Sequence, residues 1–170
     1  GASKLAGEIE INKVLKGEEL ILRTSSLHGQ RGENFVHTML RLFDERDVVS
    51  IVNDQFMSPT WAGWLAEVIL DLWRAGSTGV VHCSCGGTTT WYEFASAIYN
   101  FAESKRPEGW KAELKAIPMT ELPRPAKRPR YSAFDTTKLE RLLQRHLIPW
   151  QDGLKRHLID IGRLKSGGEG

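Results

Sequence analysis

The sequence lacks most of the features that would assign it to a special class on their own. It has two cysteines in 170 residues, Cys83 and Cys85. They stand two apart in a strand-like run and are expected on opposite faces of it, which argues against a mutual disulfide. Two thiols without flanking ligand pairs also make a poor zinc site. No apolar run approaches the roughly 18 residues of a membrane span, and no leader pattern opens the chain. The net charge of +2 is too small for a nucleic-acid footprint or a polybasic membrane contact, so neither partner is expected. Internal repeats and long linkers are absent too. What remains is an ordinary soluble domain, 41% hydrophobic and 26% charged, long enough to bury a sizeable core. A reducing, cytoplasmic compartment is the expected location.

The patterns present are those of alternating strands and helices. Residues 3–9 tolerate helix well, and Leu5 with Ile9 begins an i,i+4 apolar row. Residues 19–24 suit a buried parallel strand. The strand empties into residues 25–32, a loop of glycine and small polar residues at the strand end where doubly wound sheets bind ligands. Asn34 can cap the next helix, whose stripe is Phe35, Met39, Leu40 and Phe43. Residues 48–52 read as a second strand. Ser58, Pro59 and Thr60 suit a helix start, with a helix over 61–74 apolar on Leu65, Val68, Ile69 and Leu72 and stopped by Gly76. Residues 79–85 read as a third strand, in which His82 is expected to be a core histidine rather than a catalyst. Thr88, Thr89 and Thr90 offer caps for a helix carrying Trp91, Phe94, Ala95, Ile98 and Phe101.

Beyond residue 107 the texture changes. Residues 114–117 form a candidate short strand, after which Pro118, Pro123, Pro125 and Pro129 enforce an extended, wrapping course. Within it Arg124, Lys127, Arg128 and Arg130 make a basic cluster of the kind that recognises phosphate. Asp135, Thr136 and Thr137 cap a helix through Leu139, Leu142 and Leu143. A last helix runs from about Pro149 to Ile161, and 166–170 is expected to fray. The fold class is α/β with a mixed carboxyl-terminal portion.

Several motifs in this order resemble one family. They are Arg23-Thr24-Ser25, Asn34-Phe35 with 38–42, Asn53-Asp54-Gln55-Phe56 with Ser58-Pro59-Thr60, residues 87–92, and Pro125-Ala126 with Arg128-Pro129 and Ser132. The chain resembles the dTDP-4-dehydrorhamnose reductases, extended short-chain dehydrogenase/reductases of the dTDP-L-rhamnose pathway, from Gly1 to about Ile161. The resemblance implies the carboxyl-terminal half of a Rossmann-like reductase. Residues 1–32 would be a remnant of the Rossmann domain, 33–165 mainly a substrate-binding portion with an interleaved Rossmann strand and helix, and 166–170 a flexible tail. It further implies reduction of the C4 ketone of dTDP-4-dehydro-L-rhamnose with NADPH or NADH.

In such reductases a tyrosine and a lysine four residues later form the catalytic pair, on one face of a helix. Lys4 matches the lysine, and its tyrosine would stand immediately before Gly1. The missing amino-terminal half would carry that tyrosine and the glycine-rich pyrophosphate loop, so these 170 residues are expected to be inert alone and to self-associate through a bare sheet edge. The resemblance implies that Lys4, Thr24, Ser25 and Leu27 face the cofactor, and that Ser26, Asn34, Gln55 and Arg128 face the dTDP-sugar substrate. Two departures stand out: Ser26 where the family loop usually has tryptophan, and Met57 where most members have glycine. Some members carry magnesium at a dimer contact, but no residue here marks its place. Ser26 keeps open another nucleotide-sugar reductase or epimerase, and a non-catalytic sugar-nucleotide-binding or regulatory subunit is the other alternative.

Overall fold

The computed structural model describes residues 1–103, 108–122 and 128–165. In chain order the elements are α1 (Ala2–Leu15), β1 (Leu20–Thr24), β2 (Leu27–His28), α2 (Phe35–Glu45), β3 (Val48–Val52), β4 (Phe56–Met57) and β5 (Thr60–Trp61). Then follow α3 (Ala62–Arg74), β6 (Gly79–Cys83), β7 (Thr89–Thr90), α4 (Trp91–Glu103), β8 (Glu113–Ile117), a 3₁₀ turn (Met119–Glu121), α5 (Thr137–Leu143) and α6 (Trp150–Asp160). The strands join in four pairs. β1 with β6, β2 with β5 and β3 with β8 are parallel, and β4 with β7 is antiparallel. Parallel pairs need crossover connections, which the helices supply.

The helices start and stop where local chemistry dictates. Asn34 caps α2, its Oδ1 accepting from the Val36 and His37 amides. Thr90 and Glu93 form a capping box on α4: Thr90 Oγ1 accepts from the Glu93 amide, and the Glu93 carboxylate accepts from the Thr90 amide. Those hydrogen bonds, led by the Thr90 amide, hold Glu93 below the usual carboxylate range. Asp135 accepts from the Thr137 amide at the start of α5. Gly76, at φ 64°, ends α3. Gly87, at φ 92°, leaves only 3.2 Å between a would-be Cβ and the Trp150 ring, so the turn before α4 lies directly on the start of α6.

The core lies where α2, α4 and α6 meet. Val36, Met39, Leu40 and Phe43 of α2 face Phe94, Ala95 and Ile98 of α4, and Leu154 and Leu158 of α6 close the cluster. A second part is formed by Val68 and Leu72 of α3, Val81 and Cys83 of β6, and Leu139 of α5. A fully buried Val, Leu, Ile, Phe or Met side chain contributes about 1.5–3 kcal/mol.

Several expectations change. Ser58, Pro59 and Thr60 do not start the third helix. Thr60 is fully buried and pairs in β5, its backbone and hydroxyl both committed to the loop after β1, so α3 begins at Ala62. Its buried stripe is Trp64, Val68 and Leu72, while Ile69 is exposed. The third strand ends at Cys83 rather than Cys85, and the two cysteines do not face opposite ways. Strand residues two apart share a face, and both thiols are buried, unpaired, in one core. Burial pushes Cys83 up to about 12 and Cys85 up to about 11. Leu5 and Ile9 of α1 are exposed, and that helix buries no residue. The loop over 25–32 contains the short strand β2. Pro118 leads into a 3₁₀ turn, Met119–Glu121, where an extended course was expected. His82 is half-buried and stacks on Phe134 with centroids 4.6 Å apart. Arg124, Lys127, Pro123, Pro125 and residues 166–170 lie outside the described residues.

The buried histidines are His28 of β2 and His157 of α6. Their Nδ1 atoms are 3.0 Å apart. His157 Nε2 lies 3.4 Å from His37 Nε2, and His37 Nδ1 lies 3.1 Å from the Gly32 carbonyl. One tautomer set accounts for these three contacts: His28 Nδ1–H donates to His157, His157 Nε2–H to His37, and His37 Nδ1–H to Gly32. It leaves the buried His28 Nε2, which has no partner, as a bare acceptor rather than a stranded N–H. The His28 and His157 rings are then neutral. Burial, reinforced by the neighbouring imidazole, lowers His28 to about 3 and His157 to about 4.

The unfolded chain therefore takes up protons on these rings at higher pH than the folded one. Their contribution to stability is complete above pH 6.5 and is lost as pH falls toward 4 and 3. In urea denaturation, the stability lost between pH 7 and pH 5 is expected to shrink by roughly 2 kcal/mol in His28→Phe, which removes one such titration. An unchanged pH dependence in that variant would show that the histidine chain does not titrate this way.

Candidate functional site

The parallel pairing of β1 with β6 sets Thr24 beside Cys83 and ends both strands at one level. The loop beyond Thr24 is held from across the fold. Thr60 Oγ1 donates to the Ser25 carbonyl at 2.7 Å, and the Thr60 amide donates to the Ser26 carbonyl at 3.2 Å. Between these anchors Ser26 adopts φ 45°, a left-handed conformation that costs a non-glycine residue about 1–3 kcal/mol. Ser25 Oγ and Ser26 Oγ lie 3.4 Å apart, and Leu27 is half exposed.

α1 runs beside β1 in the opposite sense. Asn12 donates to Glu19 at the base of the strand at 2.5 Å, and Arg23 near its top grips Glu8 through Nε and Nη2 at 2.9 and 2.6 Å. Lys4, Glu8 and Asn12 are spaced by four and share one helix face. The row therefore carries Lys4 one turn past Glu8, toward the end of β1 where Thr24 and Ser25 lie. Lys4 itself is exposed.

Ser26, Gln55 and Arg128 line one cleft of about 390 Å³, together with Trp91, Pro129 and Ser132. Gln55, Trp91 and Arg128 also line a second space of about 370 Å³, walled by Phe35, Thr38, Met39 and Leu42 of α2, by β3 and by Leu122. Gln55 is buried at the turn after β3. The turn is fixed by Asn53 donating to the Ile117 carbonyl and by Asp54 accepting from the Met119 amide at 2.8 Å. Residues 130–132 strap across β4. The Phe56 amide donates to the Arg130 carbonyl at 2.8 Å, and the Ser132 amide and hydroxyl both donate to the Phe56 carbonyl at 2.9 Å. Trp91, the first residue of α4, rests against Phe35 with centroids 4.7 Å apart.

Among the described residues lining these two spaces, Arg128 is the charged one, and no carboxylate is present. A forked guanidinium beside a buried carboxamide and an aromatic wall suits an anion attached to a planar, partly apolar group. Asn34 is placed elsewhere. Its carboxamide accepts the two α2 amides and donates to the Gly29 and Gly32 carbonyls at 2.9 and 3.2 Å, on a separate cleft with His28, Trp61 and Asp160. Asn34 therefore holds α2 in place rather than standing beside Ser26, Gln55 and Arg128. Sequence reading missed Trp91, taking it for a helix-stripe residue. Its signal was there, in the position one past the capping threonines. Among the described residues no cluster of three or more His, Cys, Asp or Glu side chains could hold a metal ion, and no helix is long and apolar enough to cross a membrane.

Comparison with known proteins matches the chain to one family. The RmlD substrate binding domain profile matches residues 1–162. The dTDP-4-dehydrorhamnose reductase of Escherichia coli K12 is 36% identical over 166 residues, 95% of this chain and 55% of the reductase. The crystal structure of a dTDP-4-dehydrorhamnose reductase from Bacillus anthracis, in complex with NADP, is 37% identical with a TM-score of 0.83, covering 94% of this chain and 54% of that one. A UDP-glucuronic acid 4-epimerase from Bacillus cereus in complex with NAD shares the fold alone, at 17% identity and a TM-score of 0.69 over 100% of this chain and 53% of its own. The chain thus spans about half the length of the curated relatives it matches, and the expected α/β fold, part of an extended short-chain dehydrogenase/reductase architecture, holds. The chain belongs to the RmlD substrate binding domain family.

Proposed function

We propose that the chain is the carboxyl-terminal, substrate-binding part of a cytoplasmic dTDP-4-dehydrorhamnose reductase. The single observation that carries this reading is the convergence of Ser26, Gln55 and Arg128 on one cleft, since those positions were assigned to the sugar nucleotide from separate stretches of sequence. Arg128 grips the diphosphate, Gln55 hydrogen-bonds the nucleotide, and Trp91 with Phe35 packs against it. Ser26 meets the deoxyhexose, with a smaller side chain than the tryptophan usual there. Asn34 serves the same site indirectly, by fixing the start of α2, whose Phe35 and Thr38 line the cleft.

Lys4 and the loop carrying Thr24, Ser25 and Leu27 form the nicotinamide end. A tyrosine four residues before Lys4 would stand outside the 170 residues. The Lys4 ammonium lowers the pKa of that phenol and hydrogen-bonds the nicotinamide ribose, and the phenol gives its proton to the C4 oxygen of the substrate. NADPH or NADH, when bound, supplies the hydride. No residue of these 170 is assigned to the 2′-phosphate or to a glycine-rich pyrophosphate loop. In this reading β1, β6, α1 and α3 belong to the dinucleotide-binding part.

dTDP is expected to raise the melting temperature by several degrees at a hundredfold excess over Kd, and more than UDP or GDP does. Arg128→Ala removes a charged hydrogen bond worth about 1.5–3 kcal/mol, so dTDP binding weakens by roughly tenfold to a hundredfold. No shift with dTDP, or an undiminished one in Arg128→Ala, would contradict the assignment.

Among the described residues β1 pairs only with β6, and Leu5, Ile9 and Val14 of α1 are 53%, 48% and 76% exposed. A strand edge beside an apolar surface favours pairing with a second chain. The isolated 170 residues are therefore expected to show a mass well above 19.2 kDa in light scattering. A sharp monomer at moderate concentration would contradict self-association.

A further inference from the structure

The helix that carries Lys4 is held unlike the other long helices. α2, α3 and α6 are each seated by several buried side chains, whereas α1 buries none. Two side-chain ties set its place against β1. The lower one is a hub: Glu19, itself buried, accepts from Asn12 through one carboxylate oxygen and from the Gly17 amide, at 2.9 Å, through the other. The upper one is the paired contact of Arg23 with both carboxylate oxygens of Glu8. Ties at two heights fix both the tilt and the rise of a rod, and Lys4 is the next residue along the tied face.

We propose that the Glu8–Arg23 pair is a positioning device for the reductase reaction, setting the height of Lys4 against the loop of Thr24 and Ser25. The inference rests on the assignment of Lys4 to the catalytic pair. A two-pronged guanidinium–carboxylate contact suits the task because it fixes orientation as well as distance. A lysine in place of Arg23 supplies charge without the fork. Loss of the pair frees the upper end of α1 while Asn12 still holds the lower end. The Lys4 ammonium then samples positions displaced from the ribose and the phenol, and displacements of this order are costly to reaction geometry. The hydrogen bonds from Arg23 hold Glu8 below the usual carboxylate range, and Glu8 raises Arg23 in turn, so the clamp stays charged across neutral pH. Neither residue lines the cleft of Ser26, Gln55 and Arg128, so substrate binding has no direct stake in it.

The test uses the full-length reductase carrying this chain, assayed for NADPH oxidation with the dTDP-4-dehydro sugar. Glu8→Gln and Arg23→Met are each expected to lower kcat tenfold or more while KM for the sugar nucleotide changes less than threefold. Arg23→Lys is expected to recover only part of the loss. Reversing the charges together, Glu8→Arg with Arg23→Glu, is expected to restore kcat to within about threefold of the parent. Glu10→Gln, which removes an exposed ion pair with Lys13 on the same helix, is expected to leave kcat unchanged. Circular dichroism and melting temperature establish that each variant is folded. Should the charge-reversed pair not fold, the split between kcat and KM in Glu8→Gln, a near-isosteric change, decides alone. An unaltered kcat in Glu8→Gln, or a loss carried equally by KM, overturns the clamp. Lys4→Met separates the two ideas: if it too leaves kcat unchanged, the catalytic assignment itself has failed, whereas a collapse of kcat there beside an active Glu8→Gln condemns only the clamp.

Discussion

The hold of Thr60 on the loop after β1 is the contact on which the candidate site depends. With one hydroxyl and one amide, a fully buried residue anchors two successive carbonyls, those of Ser25 and Ser26. Without those acceptors in fixed places Ser26 would have no reason to remain at φ 45°, and its side chain would not be directed to the cleft it shares with Gln55 and Arg128. The same commitment is why the chain around Thr60 is a strand rather than a helix start. A local preference for a proline-led helix gives way to hydrogen bonds across 35 residues of sequence, since burying those polar groups unpaired would cost more than the propensity gains.

Around that anchor the molecule has two regimes. The walls of the cleft belong to tightly packed elements. α2 and α4 press Phe35 and Trp91 together above a continuous apolar core, and the histidine chain joins β2, α6 and α2 through ring-to-ring contacts. Lys4 belongs to a helix with no buried residue, placed by polar ties alone. The cleft thus has tightly packed walls, while the placement of Lys4 depends on a few discrete contacts whose removal is individually measurable.

Much of the fold was legible from pattern. β1 and β3 are short, largely apolar runs and β8 a mixed one, and Asn34, Thr90 and Asp135 act as caps where their residue types suggested. The two-residue strands β2, β4, β5 and β7 were not legible, because such segments carry too few residues to show a period and exist only through their partners. His28 and His157 are 129 residues apart, so nothing local marks them as a pair. Family resemblance pointed to Ser26, Gln55 and Arg128, and the structure brings them together. It could not show that the carboxamide of Asn34 is spent on a cap and two carbonyls, since that outcome depends on how the loop at 29–32 returns. The opposite-face reading of Cys83 and Cys85 failed for a simpler reason, the two-residue period of a strand.

The central claim is that one cleft, lined by Ser26, Gln55, Trp91, Arg128 and Ser132, receives the nucleotide of the sugar substrate. Amide and side-chain NMR shifts during titration with dTDP test it most directly. The account predicts that perturbations concentrate on the Gln55 carboxamide, the Trp91 indole, the Arg128 guanidinium and the amides of Ser26 and Ser132, with the cleft of Asn34, Trp61 and Asp160 unaffected. Perturbations centred on Asn34, Trp61 and Asp160, with Gln55, Trp91 and Arg128 silent, would contradict it.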